Sequence, residues 1–246
     1  MPRFFAPSDA FCEGLVTITG EDAFHIARSL RMAVGDELTV CDMAKREYLT
    51  RLIKIRDGEC VCEILSERVG TTESPVDISL FMAYPKGDKL ETVIQKAVEL
   101  GAARIIPFES SRCIKRPSPE KAEKQNARLS RIAEEAAKQC GRAALPKVFL
   151  PMSYKEALAS AREAELSIFC YEGDGTKSLK KILSENENAR SVSIVIGSEG
   201  GFSLEEAEAA KNAGLQAANL GPRILRCETA PSYALSAISY FFELEE

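Results

Sequence analysis

The run Ser191-Val192-Ser193-Ile194-Val195-Ile196 narrows the possible folds more than any other segment of the chain. Four of its six residues are β-branched aliphatics, and nothing polar larger than serine interrupts them. Such a strand is buried on both faces, the condition of an inner strand in a parallel sheet. It runs directly into Gly197-Ser198-Glu199-Gly200-Gly201-Phe202, and Ser203 with Glu206 three residues on forms the capping-box signature of a helix start. A glycine-rich turn between buried strand and helix brings bare backbone to the carboxyl edge of the sheet, where ligands settle in open α/β folds. A second segment of this kind, Leu220-Gly221-Pro222-Arg223-Ile224-Leu225-Arg226-Cys227-Glu228-Thr229-Ala230, joins a strand at 217–220 to a last helix at 229–242.

The texture of the chain divides it in two. Residues 1–72 alternate short apolar stretches with turn signals: Leu15 to Ile18, Glu37 to Cys41, Tyr48 to Ile55 and Cys60 to Leu65, with Asp57-Gly58 as a hairpin turn and one helix at 22–31. Gly70 to Pro75 is small and polar, and reads as a linker. From Asp77 onward strands alternate with helices, which implies a mainly parallel sheet. The strands are placed at 77–84, 104–108, 148–150, 166–171, 191–196 and 217–220, and the helices at 88–100, 119–139, 153–163, 176–184, 203–213 and 229–242. Ser118 is the expected cap of the long helix, with Pro119 at its first position. The expected domains are therefore 1–72 and 73–246.

Composition removes several function classes. Eight cysteines are scattered without a C-x-x-C pair, and His25 is the single histidine, so no metal site is expected and the cysteines read as small reduced core residues. One histidine also leaves little room for a Ser-His-Asp or Cys-His triad, and no nucleophile elbow occurs. Gly173 to Ser178 lacks the Gly-Lys-Ser/Thr ending of a phosphate loop, and Gly197 to Gly201 misplaces the glycines of a dinucleotide fingerprint. No apolar run approaches the roughly 18 residues of a membrane span, and the N-terminus turns polar too quickly for a signal peptide, so a cytoplasmic location is expected. The net charge of −5 conceals an asymmetry. Residues 86–147 hold 14 Lys and Arg against 8 Asp and Glu, a net +6, which is the footprint of phosphate contact or of a solvated helix face.

The two glycine-bearing segments, with Lys86-Gly87-Asp88-Lys89 and Lys96-Ala97-Val98-Glu99-Leu100-Gly101, resemble the SPOUT methyltransferases over nearly the whole chain. Within that class the chain is most similar to the family that methylates N3 of a uridine in bacterial 16S ribosomal RNA. One departure stands out: Ser198 occupies a position where the family usually has Pro, and it retains the amide proton that Pro lacks. The resemblance implies an α/β fold, a SPOUT-type parallel sheet with a C-terminal trefoil knot, preceded by a small PUA-like β-barrel that binds RNA. It also implies a homodimer sharing its sites, to which Tyr233, Leu235, Ile238, Phe241 and Phe242 of the last helix would contribute.

By the same resemblance, S-adenosylmethionine is held in the loops after three strands, ending at Tyr171, Ile196 and Leu220. Backbone groups of Gly200, Gly201, Leu220 and Leu225 would bind adenine and ribose, Ile196 and Ile224 would form apolar walls, and Tyr171, Gly197 and Gly221 complete the expected cofactor-binding set. Uridine N3 carries a proton, so the site needs a base or a cation; the residues offered are Arg226, Glu228 and Glu199. For Glu228 the alternative is to stabilise the start of the last helix. Arg3, Arg31, Lys86, Lys89, Lys96, Arg112, Arg131 and Arg142 match basic positions of the family and would face 16S rRNA or the assembled small subunit, with Phe4, Phe5 and Phe202 the few aromatic platforms. The rival readings are a SPOUT enzyme acting on transfer RNA or on a ribose 2′-hydroxyl, and an RNA-binding assembly factor that has lost its cofactor.

Overall fold

The computed structural model describes residues 1–56, 58–114 and 119–244. Asp57 of the expected hairpin turn and the expected cap Ser118 lie outside the described residues. The chain forms two compact units, one of residues 1–73 with 137–145, the other of 74–136 with 146–246. The contiguous division at 72/73 is thereby corrected, since a nine-residue segment distant in sequence belongs with the first unit.

In the first unit, β1 (Arg3–Phe5), β2 (Phe11–Cys12), β3 (Leu15–Thr19), β4 (Glu37–Cys41), β5 (Arg46–Arg56) and β6 (Glu59–Val69) form one sheet in the order β1-β4-β5-β6-β3-β2. Only the β1–β4 pairing is parallel. Among the described residues the edge strands β1 and β2 do not pair with each other, so an open sheet stands where a closed barrel was expected; at three and two residues these edges are too short to complete the ladder. The expected helix at 22–31 is a single turn, α1 (Gly20–Phe24), continued by a π-helical stretch at 25–29. Phe4, Ile26, Leu38, Val40, Leu52, Cys60 and Cys62 make the core. Six of the eight cysteines are buried and all are free thiols.

Buried charge joins residues 137–145 to this unit. Arg142 and Glu73 pair at 2.6 Å with side chains only 4% and 8% exposed, and Glu73 also accepts hydrogen bonds from the amides of Ala143 and Ala144. The Arg142 carbonyl accepts from Arg3 Nη1, which pairs with the buried Glu47 at 2.9 Å. The expectation that Arg3 and Arg142 reach RNA phosphates is corrected here: their guanidinium groups are committed to carboxylates inside the unit.

The second unit carries β7 (Asp77–Ala83), α2 (Lys89–Glu99), β8 (Arg104–Glu109), α3 (Pro119–Cys140, whose last turn counts with the first unit), β9 (Lys147–Val148), β10 (Met152–Ser153), α4 (Tyr154–Ala161), β11 (Leu166–Cys170), β12 (Lys177–Ser178), α5 (Leu179–Ser184), β13 (Ser191–Ile196), α6 (Leu204–Asn212), β14 (Gln216–Asn219) and α7 (Thr229–Glu243). Its sheet runs β10-β8-β7-β13-β11-β14-β12, with β9 beside β8, and every pairing is parallel. β7 and β13 lie side by side at its centre and are almost wholly buried, as their apolar runs require. α2 buries Leu90, Val93, Ile94, Ala97 and Val98, one helical stripe. The capping box of Ser203 and Glu206 forms as its spacing demands. Two edge strands, β10 and β12, were absent from the expected elements; at two residues each they leave no periodic signature. On α7, Leu235 and Ile238 fill the unit's own core, while Tyr233 and Tyr240 are exposed. Among the described residues no helix is long and apolar enough to cross a membrane.

Burial alone would raise the Glu73 carboxyl, yet Arg142 and two backbone amides hold it below the usual carboxylate range. Its stabilising contribution is therefore complete at neutral pH and is lost as pH falls below the ordinary glutamate value and through the lowered one. Glu73→Gln, which takes this carboxylate away from the buried Arg142, should cost about 3 kcal/mol in urea unfolding at pH 7. The gap to the parent should narrow on acidification; a pH-independent gap would contradict this account.

Candidate active site

The register of the second sheet builds the site. Phe169 lies opposite both Val195 and Ala217, and Cys170 opposite Ala218, so β13, β11 and β14 end level with one another. The loops that leave them converge on a cleft of about 530 Å³, within the roughly 300–1,000 Å³ of small-molecule sites. Its wall takes in Tyr171 and Glu172 from the first loop, Ile196 to Glu199 with Gly201 and Phe202 from the second, Leu220 to Cys227 from the third, and Lys89 from α2.

The turn after β13 is folded tightly on itself. The Gly201 amide donates to the Ser198 carbonyl at 2.9 Å, and Gly201 adopts φ +62°, in the left-handed region. A Cβ on Gly197 would stand 3.0 Å from the Phe202 ring and 3.2 Å from the Gly201 backbone. The turn thus forms with Ser198 in the place usually held by Pro, and the Ser198 hydroxyl is buried without a partner among the described residues. From outside, Arg112 Nη1 donates to the Gly200 carbonyl at 2.8 Å. Glu206 is buried and accepts from the amides of Ser111 and Ser203 at 2.6 and 3.0 Å, holding the segment after β8 to the start of α6.

Lys89 is the electrostatic centre of the cleft. Its ammonium lies 3.1 Å from Glu199 and 3.2 Å from Glu228, with the Cys227 sulfur at 3.8 Å. A cation in the first turn of a helix opposes the helix dipole, and the two carboxylates offset that cost. Hydrogen bonds that the ammonium donates to Glu199 and Glu228 push the Lys89 pKa well above its usual value. Burial works to raise Glu199, but its own amide, Lys89 and the Lys86 amide hold it below the usual range. Glu228 is lowered by the Cys227 thiol, by its own amide and by Lys89. The Cys227 thiol, buried and beside these carboxylates, is pushed up to about 12. At neutral pH the cluster is one cation between two anions over a protonated thiol.

The structure sorts the expected residues. Tyr171, Ile196, Gly197, Gly201, Leu220, Gly221, Ile224, Leu225, Arg226 and Glu199 all line the cleft. Gly200 and Glu228 do not: Gly200 is packed under Arg112, and Glu228 acts through Lys89. Glu228 stands at the N-cap of α7 yet makes no side-chain cap bond, so its carboxylate serves the ion cluster. Arg226 is exposed and forms no ion pair among the described residues; its carbonyl accepts from Thr229 and Ala230 at the start of α7. Lys89, expected on RNA, belongs to the cleft; the sequence signal was a lysine where a helix start favours an acid. Phe202 is buried against Phe108, Tyr154 and Phe169, and Phe4 and Phe5 are buried in the first unit, so none of the three is a platform for bases. Arg31, Lys86, Lys96, Arg112 and Arg131 are exposed. Among the described residues no group of three or more His, Cys, Asp and Glu could hold a metal. In Lys89→Met the Glu199 and Glu228 carboxyls should both titrate at higher pH in carbon-detected NMR; unchanged titration would show that Lys89 does not govern them.

The family model described as an RNA methyltransferase domain matches residues 72–239, and that of an RNA methyltransferase PUA domain matches 18–65. The chain is 36% identical over 232 residues to the ribosomal RNA small subunit methyltransferase E of Bacillus subtilis (strain 168), covering 93% of this chain and 91% of that one. It is 30% identical to the protein of the same name from Synechocystis sp., covering 98% and 78%. Among solved structures it is similar to a ribosomal RNA small subunit methyltransferase E from Neisseria gonorrhoeae bound to S-adenosyl methionine, with a TM-score of 0.86, 33% identity and coverage of 98% and 97%. A Legionella pneumophila structure with bound SAM gives a TM-score of 0.87 at 30% identity, covering 96% of each chain. The chain belongs to the RNA methyltransferase family that the ribosomal RNA small subunit methyltransferases E represent.

Proposed function

We propose that this protein transfers a methyl group from S-adenosylmethionine to N3 of a uridine in the decoding region of 16S ribosomal RNA. The observation that carries the reading is the cleft at three level parallel strand ends, walled by bare glycine backbone and lined by Lys89 and Glu199 of the ion cluster. Its volume, its mixture of apolar side chains with backbone donors and acceptors, and its Cβ-free turns fit an adenosyl group. Ile196, Ile224, Leu220, Leu225 and Tyr171 would enclose the adenine and ribose, with Gly197, Gly201 and Gly221 shaping the loops and Gly200 anchoring them through Arg112. Ile224 is 86% exposed at the rim, apolar surface that a bound adenine would cover.

When bound, the cofactor supplies an activated methyl on sulfonium, and the protein's task is orientation and charge. Neutral uracil N3 is a poor nucleophile because it keeps its proton, and losing that proton places negative charge on the flanking oxygens. Arg226, exposed at the cleft and unpaired among the described residues, is placed to donate to those oxygens. Glu199 and Glu228 are held too acidic to be efficient bases at neutral pH, so they position Lys89 rather than take the proton. Arg31, Lys86, Lys96, Arg112 and Arg131 supply phosphate contacts. The reading includes a knotted path for the chain after β13, supported by α7 returning to pack against α2 and α5. It also includes a homodimer, supported by Tyr233 and Tyr240 standing exposed on α7, and a cytoplasmic place of work on the ribosomal particle.

Incubation with labelled S-adenosylmethionine and unmodified small subunits, with naked ribosomal RNA and transfer RNA alongside, should yield N3-methyluridine from subunits on nucleoside analysis. Methyl transfer only to transfer RNA or to a ribose hydroxyl would contradict the reading. Arg226→Ala should lower kcat by about 100-fold or more while sparing cofactor affinity; near-normal turnover would remove Arg226 from the mechanism.

A further inference from the structure

Besides Glu199, the carboxylate that lines the cleft is Glu172, and it has no partner among the described residues. Glu199 and Glu228 are satisfied by Lys89, by the Lys86 amide and by the Cys227 thiol. Glu172 lines the same cleft, at the exit of β11, and neither accepts a hydrogen bond nor forms an ion pair among the described residues. It is nevertheless held in place. Tyr171 folds its ring over Gly173, where a Cβ would stand 2.3 Å from the ring, and stacks on Phe169 with ring centroids 5.6 Å apart. Lys211 lies over the other side of the same loop, 5.7 Å from the Tyr171 ring centroid, and donates to the Asp174 carbonyl at 3.2 Å. The Glu172 backbone is thus fixed by the residues on both sides of it. Its carboxylate rests against the bare Gly201 turn, where a Cβ would come within 2.7 Å of Oε1. Gly201 is therefore a glycine on two counts, its left-handed φ and the room it leaves for this side chain.

We propose that Glu172 is a cofactor-binding residue whose two carboxylate oxygens accept hydrogen bonds from the vicinal ribose hydroxyls of S-adenosylmethionine. The assignment rests on the reading of the cleft as the cofactor site. A carboxylate is acceptor-only with two oxygens, and a ribose diol presents two adjacent donors, so the two match in number and spacing. The cofactor's cationic groups have a separate complement in the Lys89 cluster, whose two anions and one cation leave a net negative charge. Glu172 is thereby left for the neutral donors; it stands exposed in the cleft lining on a backbone held by the Tyr171–Gly173 packing, and a hydrogen bond from a ribose hydroxyl to its charged oxygens is of the stronger, charge-assisted kind.

Calorimetric titration of the parent, Glu172→Gln and Glu172→Ala with S-adenosylhomocysteine and with 5′-methylthioadenosine tests this directly, because the second ligand keeps the ribose and lacks the amino-acid portion. Glu172→Ala should weaken both ligands by about tenfold or more, and Glu172→Gln by less, since its amide keeps one acceptor. The thermal midpoint without ligand should match the parent in both variants, which separates ligand contact from a structural role. Undiminished affinity for both ligands overturns the assignment. A loss confined to S-adenosylhomocysteine also overturns it, by placing the carboxylate on the ligand's ammonium. Failure of the parent to bind either ligand overturns the cofactor reading itself.

Discussion

Everything distinctive about the second unit depends on strand register. Because β11 pairs in parallel with β13 on one side and β14 on the other, with Cys170 level with Ala218 and Phe169 level with Val195 and Ala217, three chain segments leave the sheet at one height. A shift of one residue in any of them would turn its inward side chains to the opposite face and carry its loop away from the others. Burial protects against that shift. β13 is covered on both faces, and Ile168, Phe169 and Ala218 are buried beside it, so a slipped strand would expose apolar surface along its length. The cleft is a consequence of how the core packs.

The charges in the cleft follow a related logic. A lone lysine in the first turn of α2 would face the positive end of the helix dipole, and a lone carboxylate at the strand ends would bear its desolvation without return. Brought together, Lys89, Glu199 and Glu228 satisfy one another while staying partly open to solvent, with side chains 36%, 28% and 25% exposed. An arrangement of that kind contributes little to folding stability. Its value is positional, since it keeps the carboxylates ionised and aimed, and leaves Arg223, Arg226 and Glu172 as the charged groups lining the cleft without protein partners among the described residues.

Much of this was legible in the sequence because it is encoded locally. The buried run at 191–196, the glycine turn after it and the Ser203–Glu206 box each depend on neighbours within a few residues, and each formed where its chemistry placed it. The glycine-bearing segments likewise marked the sheet edge where the cleft opens, while the individual lining residues came from the family resemblance. What was not legible depends on partners far along the chain. Arg3 and Arg142 look like any surface arginine until Glu47 and Glu73 meet them across 44 and 69 positions. Lys89 reads as a basic residue of a positive stretch until Glu199 and Glu228, more than a hundred residues later, close around it. The two-residue strands β10 and β12 carry no period to detect, and 137–145 meets the first unit through long-range partners, Glu73 with Arg142, Asp22 with Lys138 and Thr72 with the Gly141 carbonyl.

The central claim is that these three strand-end loops together hold the cofactor. Amide hydrogen exchange with and without S-adenosylhomocysteine tests it most directly. Slowed exchange at 171–173, 197–201 and 220–226 together, with little change in the first unit, is the predicted result. Protection confined to other segments, or none at ligand concentrations that saturate binding, would contradict the account.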